Sequence, residues 1–198
     1  MFLSVLDLFK IGIGPSSSHT MGPMTAAIRF LDDIAGEQEL GDARSAIKRL
    51  SVGLHGSLAF TGIGHGTDGA VILGLCGHRP EEIDPDAIPA IVKAVAAKCE
   101  VSPPGHQGYR FDPTADLVLD RGNPLPGHPN GMVFTAFDHD DRACLQRTYY
   151  SIGGGFVATD TELAALRAGD DDGQLAVPFP FTNATEMLDM AARSGLCA

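Results

Sequence analysis

Tryptophan is absent from this chain of 198 residues, which instead holds 24 glycines and 13 prolines. That balance describes a turn-rich domain with many close backbone approaches, still short of a disordered composition. Cysteine is scarce. Cys76, Cys99, Cys144 and Cys197 are widely spaced and form no CxxC pair, which excludes a disulfide framework and a zinc ribbon. No apolar run reaches the length of a membrane span. The opening MFLSVLDLFK carries an aspartate inside its apolar stretch and lacks the basic start of a signal peptide, so the chain reads as cytoplasmic and unprocessed. Basic residues number 14 against 25 acidic ones, a net charge of −11 that argues against nucleic acid or a membrane surface as partner.

What is present is enough for one sizeable core: 44% hydrophobic and 20% charged residues predict a single domain over 1–198. Its compact part is expected to run to about residue 158. An acidic connection and a C-terminal helix follow over 159–198. Residues 2–9 fit a short helix or strand. Met24, Ala27, Ile28, Leu31 and Ile34 recur at helical spacing, with Gly36 as a stop. A second short helix is predicted over residues 42–48, and Arg49 to Leu58, where Leu50, Val52 and Leu54 alternate with their neighbours, reads as a strand ending at His55-Gly56-Ser57. Ala70 to Leu75 reads as an apolar run after a glycine-dense turn, and Asp86 to Cys99 as an amphipathic packing helix. Short strands are expected near Tyr109–Phe111 and Asp116–Leu119. A hairpin follows, Met132–Phe137 and Ala143–Tyr150, joined by Asp138-His139-Asp140-Asp141. Ser151-Ile152-Gly153-Gly154-Gly155-Phe156 allows a bulge, a crossover or the close approach of a ligand. Asp170-Asp171-Asp172-Gly173 reads as a solvated turn, and Asn183 with Glu186 as a capping box for the last helix. The predicted class is α+β, a mixed sheet with packed helices.

Two stretches carry chemistry. In Gly14-Pro15-Ser16-Ser17-Ser18-His19-Thr20, four hydroxyls and a histidine sit between Gly/Pro pairs, just ahead of the helix beginning near Met24. One hydroxyl suffices for a helix cap. Four also suit an anion, because free NH groups at a helix start and the positive end of its dipole favour a carboxylate or phosphate. In GSLAFTGIGHGTD the pattern returns: Ser57, then His65 in a glycine turn, then Thr67 and Asp68 before an apolar run. The glycine spacing is neither a dinucleotide fingerprint nor a P-loop. A third histidine turn, Asp138-His139-Asp140-Asp141, has the residue types of a cation site without a fixed ligand spacing.

In order along the chain, GIGPSSSHTMGPM, GSLAFTGIGHGTD, GNPLPGHPNGM and TYYSIGGGF resemble the beta portion of the bacterial iron-sulfur L-serine dehydratases, also called L-serine ammonia-lyases. That resemblance spans residues 1 to about 198. It implies elimination of water from L-serine to give pyruvate and ammonia. It also implies a [4Fe-4S] cluster acting as Lewis acid, and a fold similar to the allosteric substrate-binding domain of phosphoglycerate dehydrogenases. In the family the cluster is ligated by an alpha portion, which is the partner expected here together with L-serine and further copies of the chain; no metal ligand is expected in this chain itself. The residues that fit such chemistry are His19, His65, Asn130 and Asp141 for acid, base or substrate hydrogen-bonding roles. Ser16, Ser17, Ser18, Thr20, Ser57, Thr67 and Asp68 are candidates for substrate binding. Two other readings stand beside this one: a domain that senses serine or a small anion, and a mononuclear metal hydrolase using His19, His65 and Asp68.

Overall fold

A computed structural model describes residues 10–37, 46–168, 179, 181 and 183–195. The elements expected over 2–9 and at 42–45, the turn at 170–173 and Cys197 lie outside the described residues.

The polar Ser/His stretch forms a single π turn, Ser17–Met21, that runs straight into α1, Gly22–Gly36, where Pro23 occupies a first-turn position that needs no amide donor. Met24, Ala27, Phe30, Leu31 and Ile34 recur every three or four residues and are buried along one face. β1, Arg49–His55, buries Leu50, Val52 and Leu54 on the same side of the chain. After it come α2 (Ser57–Thr61), a 3₁₀ turn (Ile63–His65) and α3, Thr67–Leu75. Residues Ala70 to Leu75 of α3 are all buried, because it is covered by α1 on one side and by α4, Ile88–Lys98, on another. α4 itself stays on the surface: Val95 is its buried residue, while Ile88, Ile91 and Val92 lean on Met24, Ala70 and Leu73.

The sheet is mixed. β1 lies parallel to β3 (Tyr109–Arg110) and to β4 (Leu117–Asp120), and antiparallel to β5 (Gly131–Phe137). β2, Glu100–Val101, flanks β3. On the other side β5 pairs β6 (Ala143–Gly153), which pairs β7 (Phe156–Thr159), giving the order β2-β3-β1-β5-β6-β7 with β4 also on β1. The helices cover the face that carries Leu50, Val52, Leu54, Met132, Phe134, Ala136 and Tyr149. Phe134 is the hinge of this core, with Phe30 at 5.3 Å and Tyr149 edge-on at 5.6 Å.

One expectation is corrected. Residues 159–168 are not a loose connection: Phe156–Thr159 is a strand and Asp160–Ala168 is a helix, α5, with Leu163 buried. Thr159 and Glu162 make a reciprocal capping box, Glu162 accepting from the Thr159 amide at 2.8 Å and Thr159 Oγ1 from the Glu162 amide at 3.3 Å. Glu162 also takes both guanidinium nitrogens of Arg29, at 2.9 and 3.1 Å, which locks α5 to α1 and holds the Glu162 carboxyl below its ordinary range. The triple-glycine stretch forms the tight β6–β7 turn, with a register shift between Ser151 and Gly153. The final helix, α6 (Ala184–Ser194), starts as expected with the Asn183 side chain accepting from the Glu186 amide at 3.0 Å. No helix among the described residues is long and apolar enough to cross a membrane.

Candidate functional site

The two histidine loops, far apart in sequence, meet. His19 and His65 lie with ring centroids 4.8 Å apart, tilted by 40°. The contact is held by a crossed pair of hydroxyls: Thr20 Oγ1 donates to the His65 carbonyl at 2.8 Å, and Thr67 Oγ1 donates to the His19 carbonyl. Each threonine follows its own histidine and fastens the other one's backbone. Both are buried, so these bonds are shielded from water.

His19 is held at both nitrogens. Nδ1 is 2.9 Å from Ser18 Oγ and Nε2 is 3.0 Å from Ser57 Oγ. Ser16 closes the turn, its Oγ accepting from the His19 amide at 3.3 Å and its amide donating to Thr20 Oγ1 at 3.3 Å. Burial first, and then the nearness of His65, pushes the His19 imidazole below its ordinary pKa, so it is neutral at pH 7. For His65 the partner decides the tautomer. Its Nδ1 is 2.9 Å from the Thr61 carbonyl, which only accepts, so Nδ1 carries the proton and Nε2 keeps a lone pair.

Ser57 reaches His19 because the chain reverses sharply after β1. Gly56 adopts φ 56°, and a Cβ there would run into the Pro129 carbonyl, which accepts the Ser57 amide at 2.8 Å. The GNPLPGHPNG stretch is thereby pinned beside the histidines. Asn130, next in the chain, is nearly buried. Its side-chain amide donates to the Ser151 carbonyl at 3.1 Å, and the Ser151 amide donates to the Asn130 carbonyl at 3.0 Å. Ser151 in turn sits so close to Gly22 that any side chain at Gly22 would collide with its hydroxyl. Asn130 thus ties the hairpin to the end of the π turn. His128, not singled out by the sequence patterns, accepts the Asn130 amide on Nδ1 at 3.1 Å and is held below its ordinary pKa by burial and by Arg167.

Not every candidate is gathered here. Asp141 stands at the opposite end of β1, where Arg49 bridges it and Asp116 at 2.8 Å each while stacking over Phe137. Asp68 is half-buried in the first turn of α3, where a carboxylate complements the helix dipole. Ser17 is exposed.

Among the described residues, the one trio of His, Cys, Asp or Glu with ligand atoms within 4.8 Å of each other is Asp138-His139-Asp140 on the exposed hairpin turn. His19, His65 and Asp68 do not form such a group, which leaves the mononuclear hydrolase without a ligand set. Nor do the described cysteines fit a cluster. Cys76, Cys99 and Cys144 are separate free thiols, and burial pushes Cys76 up to about 11, keeping it protonated. A groove of about 340 Å³ is lined by Met21, Lys10, Arg29, Asp32, Arg79 and Glu81 among others, and by neither histidine of the pair.

Comparison with known proteins finds relatives along nearly the whole chain. A family model described as serine dehydratase beta chain matches residues 4–162. The L-serine dehydratase of Streptomyces coelicolor is 42% identical over 196 residues, covering 99% of this chain and 42% of that protein. L-serine dehydratase 1 of Escherichia coli is 40% identical over 202 residues, covering 98% of this chain and 40% of that protein. The Helicobacter pylori L-serine dehydratase is 37% identical over 190 residues, covering 96% and 40%. The chain thus spans about two-fifths of the length of the curated relatives it matches.

Proposed function

Because the chain belongs to the serine dehydratase beta chain family, we propose that it forms one wall of an L-serine ammonia-lyase active site. The other wall is an alpha portion, carried in the part of the relatives' length that this chain does not span. In this proposal a [4Fe-4S] cluster is carried by that portion, a placement supported by the wide separation of the described cysteines here. The same reading includes kinship with the allosteric substrate-binding domain of phosphoglycerate dehydrogenases, supported by the mixed sheet covered on one face by helices.

The observation that carries the proposal is the clamped His19–His65 pair. Loss of the α-proton and β-hydroxyl of serine as water gives 2-aminoacrylate, which tautomerises and takes up water to yield pyruvate and ammonia. His65 Nε2, left with its lone pair by the Thr61 contact, takes the α-proton. His19 stays neutral beside the imidazolium so formed, because its own proton affinity is depressed. Held between Ser18 and Ser57, it keeps the Ser57 hydroxyl oriented toward the substrate. Ser17, exposed at the first position of the π turn, is left for the substrate carboxylate. Asn130 holds the wall together through Ser151. With the alpha portion present, His65→Ala is expected to lower kcat for serine by roughly 100-fold or more with KM little changed, the usual contribution of a general base. Full turnover by that variant would overturn the assignment.

A further inference from the structure

Among the described residues the three most exposed large hydrophobic side chains belong to the two histidine-loop segments, while Val118, Leu166, Phe179, Phe181 and Leu188 are exposed elsewhere. Ile11 is 82% exposed, Phe60 63% and Ile63 61%. Ile11 lies on the segment leading into the His19 loop, while Phe60 and Ile63 lie between Ser57 and His65. Gly62 continues the helical backbone from α2 into the 3₁₀ turn, with φ −59° and ψ −42°. Ser57, Phe60 and Ile63 therefore recur every third residue along one side of a continuous helical path. Beside them Arg121 spends its Nε on the Ala59 carbonyl at 3.3 Å and has no carboxylate partner among the described residues. Exposed apolar side chains grouped on one helical path beside polar site residues mark a surface that another surface covers.

Building on the shared-site reading, we propose that Phe60 and Ile63 are the anchors by which this chain docks on the alpha portion, sealing water from the histidine pair. One observation and one geometric argument choose that occupant. The relatives carry more than half of their length outside the region this chain matches, so a large surface is available to meet the rim. A second copy of this chain fits worse: a two-fold contact centred on Phe60 and Ile63 would press the two histidine pairs toward each other and close both to substrate. The rim also borders the residues that need a dry site, since a base acts best where bulk water is excluded.

The test co-expresses this chain under anaerobic conditions with the part of Streptomyces coelicolor L-serine dehydratase that it does not match, and measures assembly by sedimentation. The double variant Phe60→Ser/Ile63→Ser is expected to assemble about tenfold or more weakly, as loss of central apolar anchors does, while its melting curve alone matches the wild type. Val118→Ser, at an exposed apolar position on strand β4, is the control and should assemble normally. His65→Ala should lose turnover yet assemble fully. Wild-type assembly by the double variant would overturn the docking surface while leaving the shared site intact. A wild-type chain that self-associates through Phe60 and Ile63 would overturn it in favour of a homodimer. Failure of the wild-type chain to assemble would overturn the shared-site reading, and the docking surface with it.

Discussion

At the scale of single residues, the chemistry rests on where protons sit. His65 is given its tautomer by a carbonyl, and His19 is kept neutral by burial and by a second imidazole nearby. The depressed affinity of His19 has a consequence for stability. Below its ordinary value of 6.5 the unfolded chain takes up a proton that the folded one resists. The contribution is thus complete above pH 6.5 and is lost as pH falls from there through the folded-state value. His128 acts in the same direction. The denaturant midpoint is therefore expected to fall between pH 7.5 and 5.5, and His19→Gln to flatten the decline. An unchanged slope in that variant would assign the effect elsewhere. Glu162, lowered from its ordinary 4.5, titrates at more acid pH and does not contribute to this decline.

At the scale of elements, two junctions decide the geometry. The β1–α2 reversal requires a residue that tolerates both a left-handed conformation and the Pro129 carbonyl against its Cα. Gly56→Ala should destabilise the fold by about 2 kcal/mol or more and disturb Ser57, seen as loss of activity beyond what the stability change explains. The second junction is the lock of α5 on α1. Glu162→Gln, which weakens both the capping box and the bidentate pair, should cost about 1 kcal/mol in chemical unfolding, the modest size expected of a half-exposed pair. That helix was legible in outline, since Thr159 and Glu162 stand at capping-box spacing. Acidic composition over 159–180 masked the signal. The remaining elements follow patterns that local physics explains: alternation at Leu50, Val52 and Leu54 for β1, and three-to-four spacing at Ala27, Leu31 and Ile34 for α1.

At the scale of the whole molecule, the helix layer and the mixed sheet bring the first and second motif loops together at one end of β1, while the hairpin turn with Asp141 ends up at the other. The chain is a scaffold for histidines and hydroxyls without a thiolate set among its described residues. Anaerobic reconstitution of the purified chain alone with iron and sulfide is expected to yield no stoichiometric cluster absorbance, and its appearance would move the cluster onto this chain.

The sequence by itself determined the α+β class, the β5–β6 hairpin, the family and the two histidine loops, because helix periodicity, strand alternation and motif order are local properties written into neighbouring residues. Only the tertiary structure decided that His19 and His65 face each other, that Thr20 and Thr67 serve backbone carbonyls, and that Asp141 stands apart with Arg49. Those facts depend on which loops the sheet order brings to the same end, a consequence of long-range pairing that no local pattern encodes.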